Sequence, residues 1–198
     1  MDAAGEPTAL KQDGRRQRGE RNRRAIVDAT LALIGEGCLA PTAQLISERA
    51  GCTIRSLFRH FPDMESLFAE ANNEVRRRAV GTFTGGRDGG SIAERIPQVV
   101  ERYCAGYEQE QNLILMTKGQ SWRYAVLRQN YAQLQGELRQ NLENWLPEAR
   151  QLSVSRRELL HAITSFEMWH RLREQHNLSQ AEAIALMTEE VNTLLDCR

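Results

Sequence analysis

The sequence has few cysteines, almost no lysine, no long apolar run and hardly any strand signal. Its four cysteines, Cys38, Cys52, Cys104 and Cys197, form no CxxC pair and share no even spacing. That argues against a disulfide or zinc framework and fits reduced thiols in a cytoplasmic protein. No apolar stretch approaches the ~20 residues needed to span a bilayer. The N-terminus carries charges without the apolar core of a signal peptide. A soluble cytoplasmic chain with no membrane partner is therefore expected. His161, His170 and His176 are nine and six residues apart, whereas neighbours on one helix face stand three or four apart. No metal site is expected, and no cofactor. No Ser/His/Asp or Cys/His grouping has an informative spacing, so nothing supports an enzyme. The Gly85–Gly90 stretch lacks the Gly-Lys-Ser/Thr ending of a phosphate loop and reads as a linker.

What is present is charge, unevenly spread, and helix periodicity. The formal net charge is zero. Residues 1–60 nevertheless hold ten Lys/Arg against seven Asp/Glu, and residues 11–24 hold seven against two. A neutral total can hide a basic nucleic-acid footprint at one end. The basic residues are nearly all arginine, with Lys11 and Lys118 the two lysines. Residues 1–19, rich in glycine and charge, read as a disordered arm that either touches DNA or serves only solubility.

Ile26, Ala29, Thr30, Leu33 and Ile34 recur at helical spacing, and Gly35 and Gly37 end that helix. A short helix after Pro41 has Leu45, Ile46 and Ala50 inward. Gly51 breaks it, and a third segment runs over 53–60, ended by Pro62. Asp63 caps a longer helix with Leu67, Phe68, Ala71 and Val75 on its stripe, running to about Phe83. Ser91–Glu94, Ser155–Glu158 and Ser179–Glu182 have capping-box spacing and mark further helix starts. The expected fold is all-α: an N-terminal three-helix helix-turn-helix domain at 20–62, then a larger helical bundle at 63–198, about nine helices in all.

Three short helices with a glycine turn between the second and third form a helix-turn-helix, whose third helix enters the major groove. Leu57 and Phe61 suit its packing face. Ile54, Arg55 and Arg59 are left for the groove, where arginine pairs with guanine in bidentate fashion. Ser56 and His60 suit phosphates.

Arg23-Arg24-Ala25-Ile26-Val27-Asp28-Ala29 resembles the first helix of the tetracycline-repressor (TetR) family. Ala50-Gly51-Cys52-Thr53, Ser56-Leu57-Phe58-Arg59-His60-Phe61 and Glu65-Ser66-Leu67-Phe68 resemble that family's third helix and entry to its fourth. The resemblance covers residues 21–68 in a gap-free register. It implies phosphate contact at Thr42, Ser56 and His60, a groove-edge position for Ala43 and Gln44, base reading by Ile54 and Arg55, and DNA contact also at Thr53, Phe58 and Arg59. Phe58 stands where the family usually has tyrosine, Met64 where it usually has lysine, and Pro41 at the usual cap of the second helix.

The C-terminal part repeats apolar residues on two faces. Leu159, Ile163, Phe166 and His170 form one, and Ala162, Ser165, Trp169 and Leu172 another. Ile184, Met187, Val191 and Leu194 follow at helical spacing. Two apolar faces imply cover on both sides, by the core or by a second copy. TetR-like proteins pair through their last two helices, which implies a homodimer interface at Phe166, Trp169, Ile184, Met187, Val191 and Leu194. The family analogy also implies a ligand pocket near Tyr103, Tyr107, Met116, Trp122 and Phe166; the same residues suit an ordinary core. The resemblance thus implies a repressor that a small-molecule effector releases from a palindromic double-stranded DNA operator, with the fourth helix as lever. The alternative is a DNA-bound adaptor or activator whose bundle holds a protein partner.

Overall fold

A computed structural model describes residues 8–78, 83 and 89–196. Among them the regular structure is helical throughout: α1 (Thr8–Gly35), α2 (Ala43–Ala50), α3 (Ile54–His60), α4 (Met64–Arg78), α5 (Ile92–Gln120), α6 (Ala125–Trp145), α7 (Val154–Ile163), α8 (Phe166–His170) and α9 (Gln180–Asp196). A 3₁₀ turn (Pro147–Gln151) precedes α7, and a π turn (Arg171–Gln175) follows α8. No described helix is long and apolar enough to cross a membrane. Residues 85–88 of the expected glycine linker lie outside the described residues.

The chain forms two compact units, Met1–Arg77 with Asn112–Asn130, and Arg78–Gln111 with Tyr131–Arg198. This differs from the expected boundary at 62/63. The fourth helix belongs with the first three, because Leu67 and Ala71 share one buried cluster with Ile26, Leu33, Ile46, Leu57 and Phe61. The expected arm differs too. Residues 8–19 are the opening turns of α1.

In the first unit, local chemistry sets several of the helix boundaries. At the end of α1, Gly37 takes φ +94° and Cys38 N–H reaches back to Leu33 O at 3.0 Å. Thr42 caps α2, its side chain accepting from Leu45 N–H at 3.3 Å. The second helix therefore has its side-chain oxygen, and buried Pro41 merely precedes it. Leu45, expected inward, is 41% exposed. Gly51 ends α2 in the left-handed region (φ +66°), where a side chain would be strained. Asp63 opens α4 by accepting from Ser66 N–H at 2.7 Å. A second small cluster joins Ile34, Phe68, Met116 and Leu127.

In the second unit, Arg95 is 8% exposed and fully engaged. It donates to Trp145 O at 2.5 Å and grips both oxygens of Glu148 at 2.5 and 3.2 Å. Tyr103 and Tyr107 bury their rings and donate to Leu138 O (2.7 Å) and Thr164 O (2.8 Å). Phe166 and Trp169 pack against Tyr107 with ring centroids 5.7 and 6.1 Å away. Met187 and Val191 of α9 are fully buried.

Two helix boundaries here differ from expectation. Ser153, not Ser155, caps α7, accepting from Arg156 N–H. The expected continuous helix across 155–172 breaks at Thr164–Ser165. There Ser165 caps a new helix, while Tyr107 takes the Thr164 carbonyl. The Ser91–Glu94 and Ser179–Glu182 boxes form as expected, each glutamate accepting from its serine's N–H, at 2.8 and 2.7 Å.

Candidate nucleic-acid interface

The seven residues of α3 divide into stripes four residues apart, because residues i and i+4 lie over one another on a helix. Leu57 and the following Phe61 are buried, at 0% and 1% exposure. Ile54 and Phe58 form an apolar stripe open to solvent. Arg55 and Arg59 form an exposed cationic stripe, and Ser56 and His60 a half-buried polar one. Thr53 starts the helix, its hydroxyl oxygen accepting from Ser56 N–H at 3.1 Å. Arg59 donates to Ser56 Oγ at 3.1 Å, which draws its guanidinium along the helix surface.

On α2, Thr42 and Gln44 are exposed and Ala43 is half-buried against the core. Gln44 donates to Glu48 at 2.5 Å. The positions expected to touch DNA thus gather on α3, its cap and the first turn of α2. Expected phosphate contacts Thr42 and Ser56 have their oxygens engaged locally, as cap acceptor and as acceptor from Arg59.

Two arginines brace this surface, and sequence reasoning assigned neither a partner. Arg23 of α1 donates to His60 O at 3.0 Å, pairs with Glu70 at 3.2 Å, and lies over the Phe61 ring at 4.3 Å. It ties α1 to the end of α3 and to α4. Arg49 of α2 forks onto Glu36 at 2.7 and 2.6 Å. Their spacings in sequence carry no local signal, since the partners lie 37, 47 and 13 residues away. Met64, where a lysine was expected, packs against both apolar clusters of the unit. It is a packing residue there, and its lack of charge follows.

Burial lowers the pKa of His60, and the nearby Arg59 and Arg23 lower it further, with Glu20 opposing. His60 is therefore neutral at physiological pH. Its Nε2 is buried without a hydrogen-bond partner.

The other expected sites are redistributed. Tyr103, Tyr107 and Phe166 come together, but Met116 lies in the core of the first unit and Trp122 is 79% exposed. Of the expected pairing residues, Phe166, Trp169, Met187, Val191 and Leu194 are buried within their own unit. Ile184 is half-buried and lines an open groove of about 980 Å³ with Pro97, Ala181 and Thr188. Periodicity marked those residues as apolar-facing, but a face turned to the core and one turned to a partner have the same spacing.

Residues 26–71 match the model of the bacterial regulatory proteins of the tetR family. No curated protein sequence matches the chain. Among solved structures, the chain is similar to a transcriptional regulator from Rhodococcus sp. Rha1, with a TM-score of 0.64 at 15% identity over 90% of this chain and 96% of that one. It is also similar to a Mesorhizobium loti MAFF303099 protein classed with the TetR-family regulators, with a TM-score of 0.61 at 16% identity over 90% and 97%. A TetR transcriptional regulator from Rhodococcus sp. RHA1 gives 0.52 at 18% identity over 89% and 97%. Residues 26–71 thus match the TetR-family model, on a chain whose fold is similar to that of solved TetR-family regulators.

Proposed function

We propose that this chain is a sequence-specific DNA-binding transcription regulator, acting as a homodimeric repressor that a small molecule releases from a palindromic operator. The observation that carries the reading is the surface of α3, where Arg55 and Arg59 stand exposed beside Ile54 and Phe58 on a helix whose opposite face is buried. A helix held in this way suits the major groove, and Arg55 suits a guanine edge. Arg21 and Arg24, exposed on α1, suit phosphates.

Two recognition helices on a palindrome need two copies. Leu159 of α7 (50% exposed) and Leu186 of α9 (37%) leave apolar surface for that pairing. The second unit has a cavity of about 380 Å³ whose walls include Tyr103, Tyr107, Leu138, Leu142, His161 and Glu167. An aromatic floor with convergent polar groups suits a small effector. The effector acts only through its differential affinity for the DNA-competent and incompetent states. α5 and α6 each contribute several residues to both units, which makes them candidates, with α4, for transmitting the change.

Selection of bound sequences from random duplexes tests the reading. A single enriched palindrome is expected, and Arg55→Ala should relax the preference at one base pair, costing about 1–3 kcal/mol there. Equal loss on all sequences would contradict the role of Arg55. Absence of any enriched sequence would contradict DNA reading altogether.

A further inference from the structure

Guanine pairing by the arginines leaves unassigned what the other exposed stripe of α3, Ile54 and Phe58, would recognise. Ile54 is 40% exposed and Phe58 41%, and both belong to a helix of only seven residues. Single exposed apolar side chains are ordinary. Two large ones a turn apart, flanked by a cationic stripe, form a defined apolar strip on a surface otherwise suited to a polyanion. Neither side chain belongs to the buried clusters of the unit. Phe58 has no hydroxyl, so this stripe has nothing to offer a phosphate or the polar edge of a base.

The major groove presents one apolar feature that varies with sequence, the C5-methyl group of thymine. We propose that Ile54 and Phe58 read thymine methyl groups, so that each half-site carries thymine beside the guanine paired with Arg55. This rests on the DNA-binding reading above and adds the chemistry of the bases selected. The neighbouring arginine stripe supplies the charge complementarity that brings the duplex onto the apolar strip. The methyl contact then discriminates thymine from cytosine on the same strand.

The test uses the full chain and the duplex it selects from random sequence. Each thymine is replaced in turn by deoxyuridine, which removes the methyl and keeps every hydrogen-bonding group. Affinity should fall about fourfold at one or two positions per half-site, the value of burying one methyl-sized group. In Ile54→Ala or Phe58→Ala, whichever supplies the contact, the same replacement should have no further effect. Both variants should keep the helical circular dichroism of the parent, since neither side chain is core. Enriched sequences whose thymines all tolerate uracil would overturn this inference alone. So would a uracil penalty that persists undiminished in both variants. A selection that enriches nothing would overturn the DNA-binding reading and this inference with it.

Discussion

Arg23 lies in the most basic stretch of the chain, yet its guanidinium is committed to His60 O, Glu70 and the Phe61 ring. A charge count assigns it to DNA; its partners assign it to the framework. Arg23→Ala should therefore lower stability and affinity for all sequences alike, without altering base preference. Competition binding with mismatched duplexes reads that difference. Arg95 is the buried counterpart. Arg95→Met would leave Trp145 O without its donor and Glu148 without its partner, and should cost about 2–3 kcal/mol in urea unfolding. Gly106 is a steric case, since a Cβ there would lie 2.4 Å from the Phe83 ring. Gly106→Ala should destabilise by about 1–3 kcal/mol, seen as an earlier urea midpoint.

At the scale of elements, caps were the most legible features. Ser91–Glu94, Ser179–Glu182 and Asp63 are local devices whose partners lie three residues away, so spacing alone reveals them. Ser155 failed for a related reason. Ser153 is followed by residues equally able to start a helix, and the 3₁₀ turn at 147–151 brings the chain in earlier. The break between α7 and α8 was not legible. It coincides with Tyr107 donating to Thr164 O from 57 residues away. Tyr107→Phe should loosen this junction, visible as faster amide exchange around Thr164–Met168, at a cost of about 1 kcal/mol. In the first unit, Thr53→Ala removes the acceptor for Ser56 N–H and should cost about 1 kcal/mol, with weaker operator binding expected as α3 frays.

For the whole molecule, two half-buried or buried histidines set an acid limit. The pKa of His60 is depressed by burial and then by Arg59 and Arg23, and that of His161 by burial and then Arg139. Both ionise more readily in the unfolded chain. Stability is then fully present above the ordinary histidine value of about 6.5 and is lost as pH falls towards the lower folded values. The unfolding midpoint should decline on going from pH 7 to 5.5, and His161→Gln should flatten that slope. The tryptophans give a second readout. Trp122 is 79% exposed, whereas Trp145 and Trp169 are 8% and 1% exposed in the second unit. Acrylamide should quench one tryptophan and spare two, and Trp122→Phe should leave the emission blue-shifted and protected.

The sequence by itself determined the helical class, the helix-turn-helix and the exposed face of its third helix, because these rest on period, caps and a glycine turn within a few residues of one another. Only the tertiary structure decided where each apolar face went. It packed α4 and Met64 against the core of the first unit, turned Met187, Val191 and Trp169 inward, put Met116 in the core of the first unit while leaving Trp122 exposed, and drew Arg23 onto His60 O, Glu70 and the Phe61 ring. The physical reason is that burial is non-directional and has no sequence range. A residue's spacing tells which side of a helix it occupies, while what covers that side depends on partners brought together by the whole chain.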